Sequence, residues 1–328
     1  MEQTTFTEYL KAHPTAAGLA GRHLLRVNDL STEEIVTLLD FAVRMKTGVI
    51  SREEQLKVLP GCTLAEIFEK PSLRTRVSFE TGIYQLGGQG IYITSKEIQI
   101  GVRESVYDIS NVLTRIVDIA MARVFKHSTV ADLAKYAKKP VINGLCDTEH
   151  PCQALADILT LVEERGDVKG LRFAYVGDGN NVCQSLMIIC AKLGIGFVCA
   201  CPKGYYPAED YVALAASLAD ENGTYFELTE SPAAAAAGAD VIYTDTWTSM
   251  GQEEEAKQRA EAFAGYRVDS ALMAKAGPKC IFMHCLPAHR GCEVTDEVMD
   301  SPQSRIFQEA ENRLHAQKAV MGLLGQKV

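Results

Sequence analysis

The chain has 328 residues, roughly twice the ~150-residue scale of a single core, so two domains are expected. Hydrophobic residues make up 47%, charged residues 23% and aromatics 7%, a globular mixture that excludes collagen-like, low-complexity and coiled-coil readings. Thirty-three basic against 42 acidic residues leave a net charge of −9, which argues against nucleic acid or an anionic membrane as a partner, and no apolar run approaches the ~20 residues of a membrane span.

The N-terminus, Met1 to Phe6, has neither the basic start and apolar run of an export signal nor an Arg-rich presequence, so a cytoplasmic location is expected, although a trimmed transit peptide would leave no trace. Helices are expected before residue 60, with Ser31-Thr32-Glu33-Glu34 capping a run through Ile35, Leu38, Leu39 and Ala42. From there β-rich runs alternate with helix-period segments: Thr63–Phe68, Gly90–Thr94, Asp118–Ala122, Pro140–Asn143, Leu171–Val176, Phe197–Cys201, Tyr225–Leu228, Val241–Thr244 and Cys280–Met283. Nine strands with eight crossovers overfill one domain, so the pattern predicts two doubly wound, parallel-sheet α/β domains of four and five strands.

The boundary is expected at the helix that Pro151 opens, where Leu155, Ile158, Leu159 and Val162 share a face. That helix would bridge the domains and put its first residues in the cleft. A closing helix, Gln303 to Leu324, would return to the first domain, giving 1–150 with 304–328 as one domain and 151–303 as the other. The ten cysteines lie scattered, mostly in apolar runs, with no C-x-x-C pair and no His pair at ligand spacing. Reduced core thiols and no metal site are therefore expected.

Chemistry gathers at segment ends. Pro71 stops the first strand, Ser72 is a good N-cap, and Leu73-Arg74-Thr75-Arg76 opens a helix. Free first-turn amides, the hydroxyls of Ser72 and Thr75 and the Arg74 guanidinium together supply what a phosphate needs. The alternative is a capped helix with a solvated basic turn, but cations there oppose the helix dipole. Arg123 closes the third run, at the carboxyl end where doubly wound sheets gather ligands, though arginines are common there. His150 precedes Pro151-Cys152-Gln153 at a helix start, a position that favours the neutral ring; a turn histidine is the alternative.

Gly177-Asp178-Gly179-Asn180-Asn181-Val182 follows a strand but fails the dinucleotide fingerprint, since Val182 stands at the third glycine position and no ribose-binding acid ends the next strand. A small-ligand turn survives, with Asn181 as donor and acceptor. Asp245 ends the eighth run before Thr246-Trp247-Thr248-Ser249-Met250-Gly251 and can hold a substrate ammonium; a solvated Asp beside a Trp anchor is the alternative. In His284-Cys285-Leu286-Pro287, Cys285 shows no separate acid, base and orienting trio, so binding is favoured over nucleophilic attack. Arg313 lies three residues from Ala310 and seven from Ile306, on the stripe that should face inward.

Phe68 through Arg76, His150-Pro151-Cys152-Gln153, Asp245 through Gly251 and His284-Cys285-Leu286-Pro287 together resemble the ornithine carbamoyltransferases, from about Leu24 to Leu324. The first motif marks the wider carbamoyltransferase superfamily; the Ser249-Met250-Gly251 loop with His284 to Pro287 marks the ornithine branch. The resemblance implies carbamoyl phosphate on Ser72, Leu73, Arg74, Thr75, Arg123, His150, Gln153 and Arg313, ornithine on Asn181, Asp245, Ser249 and Met250, and Cys285 with Leu286 between the two ligands. It makes Arg123, His150, Asp245 and Cys285 the catalytic set and implies no cofactor. It further implies a homotrimer in which Gln99 reaches a neighbouring subunit's phosphate. Leu73 departs from the threonine of many members, so only its backbone N–H is expected to bind.

Overall fold

A computed structural model of the chain describes residues 3–248 and 253–326. They form two compact units, residues 1–159 with 311–328 and residues 160–310. The division falls inside the Pro151–Arg165 and Ile306–Leu324 helices. No helix among the described residues is long and apolar enough to cross a membrane.

The first unit holds a parallel sheet of four strands in the order β2-β1-β3-β4, with β1 Thr63–Phe68, β2 Gln89–Thr94, β3 Ile119–Arg123 and β4 Val141–Leu145. β1 and β3 are almost wholly buried, as expected when both faces of a parallel sheet are covered. The Thr32–Lys46 helix is opened by Ser31, whose hydroxyl accepts from the Glu34 N–H in a complete capping box. Successive crossovers from β1 run to opposite sides, so the topological switch point lies between β1 and β3.

The second unit holds five parallel strands in the order β7-β6-β5-β8-β9: β5 Arg172–Val176, β6 Gly196–Ala200, β7 Phe226–Thr229, β8 Val241–Tyr243 and β9 Ile281–Met283. Its switch point lies between β5 and β8. Phe173, Tyr175, Phe197 and Tyr243 stack along one face of the sheet, with Phe173 and Phe197 centroids 5.3 Å apart. All nine expected runs are strands, their ends shifted by at most a residue or two, and the closing helix begins at Ile306 rather than Gln303. Gln303 instead donates its amide to the Gly277 and Cys280 carbonyls, ahead of the helix.

Candidate active site

In the first unit the site residues cluster at the switch point, after β1 and β3. Ser72 caps the Leu73–Gln85 helix, its Oγ accepting the Thr75 N–H at 3.3 Å. Thr75 is fully buried, and donors converge on its Oγ1: Ser72 Oγ at 3.1 Å, Arg313 Nη2 at 3.2 Å and Arg123 Nη1 at 3.5 Å. A hydroxyl receiving donors from three sides has only its own hydrogen left to give, so Thr75 is set to donate to a further acceptor. Arg313 is 2% exposed, and its Nη1 donates to Gln153 Oε1 at 2.7 Å while Gln153 Nε2 donates to Asp157 Oδ1 at 2.8 Å. The inward stripe read from the closing helix thus delivers this guanidinium to the capped helix start.

His150 is buried, and its basicity is held well below the ordinary range, first by loss of solvent and then by the positive charges of Arg313, Arg123, Arg74 and Lys70. The ring is neutral at neutral pH. Lys70 is itself buried, 4.8 Å above the Phe125 ring, and burial, followed by Arg123, pushes its ammonium down. Four cations around one neutral histidine at a helix N-terminus form a strongly electropositive patch on a chain of net charge −9. The sequence does not mark Lys70 as a site residue, because a lysine before Pro71 gives no local sign of burial.

Leu73 leaves its side chain 75% exposed at the first helical position. Gln99 is exposed and left-handed (φ 44°) at the end of the one-turn Ser95–Ile98 helix, and it takes no part in the hydrogen-bonded network around Thr75.

In the second unit the loops after β5, β8 and β9 meet. Asp245 is 6% exposed; its Oδ1 accepts the Thr246 N–H at 2.8 Å and the Cys285 thiol at 3.1 Å, and its Oδ2 accepts Asn180 Nδ2 at 2.8 Å. The residue beside Asp245 is therefore Asn180, whereas Asn181, the candidate from sequence, begins the Asn181–Lys192 helix, its Oδ1 accepting the Val182 N–H. Two adjacent asparagines after a glycine turn are alike in sequence, and only the fold decides which caps. Ser249 and Met250 lie outside the described residues.

His284 is fully buried; its Nδ1 accepts the Leu286 N–H at 2.9 Å, which makes Nε2 the protonated nitrogen, 3.2 Å from Glu293 Oε1. Glu293 is held below the usual carboxylate range: burial opposes this, but hydrogen bonds from His284 and the His289 N–H outweigh it. That bracing sets Leu286 at φ 57°, a conformation costly for a residue with a Cβ, and presents Cys285 to Asp245. The acid beside Cys285 is not visible in the sequence, because Asp245 is 40 residues away in the chain. Among the described residues, Asp245, His284 and Cys285 also place one potential ligand atom each within 4.8 Å of one another. Of these, Cys285 is bonded to Asp245, while both His284 ring nitrogens are engaged by Leu286 and Glu293.

Asp178 is paired with Arg259, Oδ2 to Nη1 at 2.9 Å, and Arg259 Nη1 also donates to the Trp247 carbonyl at 3.0 Å, tying the β5 turn to the loop after β8. Burial pushes Asp178 up to about 6, with the Arg259 charge opposing. A Cβ on Gly179 would lie 2.2 Å from Pro207 N and 2.5 Å from Tyr206 C, so this glycine admits a protein loop rather than a pyrophosphate, in keeping with the failed dinucleotide fingerprint.

Residues 22–163 match the family model for the aspartate/ornithine carbamoyltransferase carbamoyl-P binding domain, and residues 169–324 match its Asp/Orn binding domain. The ornithine carbamoyltransferase of Thermococcus kodakarensis is 54% identical over 93% of this chain and 97% of its own length. The anabolic ornithine carbamoyltransferase of Pyrococcus furiosus is 52% identical over 93% of this chain and 97% of its own. The solved structure of ornithine carbamoyltransferase from Pyrococcus furiosus superposes with a TM-score of 0.91 at 51% identity, covering 94% of this chain and 99% of that one.

Proposed function

Because the chain belongs to the aspartate/ornithine carbamoyltransferase family, we propose that it transfers the carbamoyl group of carbamoyl phosphate to the δ-amine of L-ornithine, giving L-citrulline and phosphate. The observation that carries the reading is the convergence of Lys70, Arg74, Arg123 and Arg313 on a neutral His150 beside the Ser72-capped helix. A phosphate bonded to a polarised carbonyl asks for this combination: cations and helix amides for the phosphate, neutral donors for the carbonyl oxygen.

The phosphate of carbamoyl phosphate is bound by Ser72, the Leu73 and Arg74 amides, and the Arg74 and Arg313 guanidinia. Its carbonyl oxygen takes Arg123, His150 and Thr75, with Gln153 holding the carbamoyl amine. The attacking amine forms its bond to the carbonyl carbon, and the oxygen becomes anionic against those donors. The C–O bond to phosphate then breaks, the leaving phosphate keeps the electron pair, and the amine proton passes to that phosphate. Asp245 and Asn181, with Ser249 and Met250, hold the α-ammonium and α-carboxylate of ornithine, so only the distal amine is free to react.

A lysine-like amine ionises at ~10.4, so only about one in ~10³ is nucleophilic at pH 7, and neighbouring cations lower that barrier by like-charge repulsion. The rate with ornithine therefore rises with pH through the neutral range. We assign the active form to a homotrimer in which Gln99 serves a neighbouring subunit, and the reaction to the cytoplasm, where ten cysteines without a disulfide are at home. The name of the Pyrococcus furiosus relative supports the anabolic direction, in arginine biosynthesis. A steady-state assay with carbamoyl phosphate and a panel of amines tests the proposal: citrulline from ornithine supports it, and turnover of putrescine in preference to ornithine overturns it.

A further inference from the structure

We infer that Asn180 is a positioning residue, one that locks the Asp245 carboxylate in the orientation that receives the substrate's α-ammonium; the inference rests on the reading of Asp245 given above. Asn180 stands at the N-cap of the Asn181–Lys192 helix, with backbone in the extended region. Its Oδ1 accepts the Val182 N–H at 3.0 Å, the Cys183 N–H at 3.1 Å and the Tyr175 hydroxyl at 3.3 Å. Three donors on one oxygen fix the amide's orientation, because a flipped amide would aim its NH2 at two backbone N–H groups. Nδ2 is thereby directed at Asp245 Oδ2, 2.8 Å away.

Asp245 in turn has its other oxygen occupied by the Thr246 N–H and the Cys285 thiol. An isolated aspartate on a strand end has several rotamers; one gripped at both oxygens has one. Nothing else among the described hydrogen bonds holds Oδ2. The grip is also electrically neutral, which matters because Asp178, Tyr175 and Cys183 crowd the same turn, with Asp178 paired to Arg259. A cation at position 180 would cancel the charge that attracts the substrate, and an anion would repel Asp245. An amide supplies a donor without doing either, and it anchors that donor to the first turn of a buried helix.

The test separates capping from positioning. Serine caps a helix about as well as asparagine, yet its hydroxyl is too short to reach Asp245 while bonded to the first-turn amides. Asn180→Ser should therefore keep its melting temperature and its KM for carbamoyl phosphate, while the KM for ornithine rises about 10-fold or more, the scale of losing one hydrogen bond to a charged group. L-norvaline, which has the α-ammonium and α-carboxylate but no δ-amine, should lose affinity by the same factor in titrations with carbamoyl phosphate present. Asp245→Asn is measured in parallel. If Asp245→Asn weakens norvaline and Asn180→Ser does not, Asn180 is a cap only and the inference falls alone. If Asp245→Asn leaves norvaline binding at the native level, the reading of Asp245 itself falls, and the inference with it.

Discussion

Arg313 meets Gln153 across 160 residues of chain, Nη1 to Oε1 at 2.7 Å, with both side chains buried. The same guanidinium reaches Thr75 Oγ1, so the closing helix inserts its charge into the capped start of the Leu73–Gln85 helix. A buried guanidinium that shares its surroundings with Arg123, Arg74 and Lys70 is favoured when an anion enters the site. Arg313→Met should lower kcat/KM for carbamoyl phosphate by ~10² to 10³-fold, about 3 to 4 kcal/mol, the scale of losing a preorganised charged donor. Without carbamoyl phosphate the variant should melt no lower than the parent. A native kcat/KM would remove the closing helix from the site.

Cys285 donates its thiol to Asp245 Oδ1 at 3.1 Å, a hydrogen bond that fits a binding role for the side chain. A hydroxyl can make the same bond. Cys285→Ser should keep kcat within about 10-fold of the parent, whereas a thiol forming a covalent carbamoyl intermediate would lose nearly all activity on the same change. A steady-state assay with a search for a carbamoylated intact mass distinguishes the two roles.

Gln99 projects from an exposed left-handed turn, outside the network that joins Thr75, Arg123 and Arg313. If it serves a neighbouring subunit, mixing subunits carrying Gln99→Ala with subunits carrying Arg123→Ala should restore a fraction of native sites, although each homotrimer is impaired. Sedimentation of the parent should give three chains. Verified subunit mixing with no gain of activity would return Gln99 to its own subunit.

Much of this arrangement is legible in the sequence because the signals are local. Buried parallel strands read as apolar, β-rich runs, Ser31 and Ser72 announce helix starts, and Arg313 falls on a helical stripe. What escapes is contact over long separations. Asp178 meets Arg259 81 residues on, and Asp245 meets Cys285 40 residues on. Neither spacing is a motif, because crossover length is set by the helix that covers the sheet and not by the pair. Asn180 escapes for another reason: it and Asn181 are the same residue type one position apart, and the choice between cap and first helical residue depends on where the helix begins.

The last expectation concerns stability. Glu66 lies in β1, fully buried, and neither carboxyl oxygen has a hydrogen-bond partner among the described residues. A Cβ on Gly90 of β2 would come within 2.7 Å of Oε1, so the carboxyl occupies space that only a glycine leaves open. Burial, and then repulsion from Glu80, raise it to about 8; Arg76 opposes, but Arg76 is engaged with Glu80 at 3.0 Å and lies 3.8 Å over the Tyr92 ring. The folded chain thus keeps this proton to about pH 8, whereas the unfolded chain releases it near 4.5. Between those values the native state binds more protons, so the Glu66 contribution is intact below pH 4.5 and is lost as the pH rises toward 8. Glu66→Gln, which cannot ionise, should match the parent's melting temperature near pH 4.5 and exceed it by several degrees at pH 8. An equal offset between the two proteins at both pH values would mean that Glu66 is ionised in the fold, with its charge met by a group outside this network.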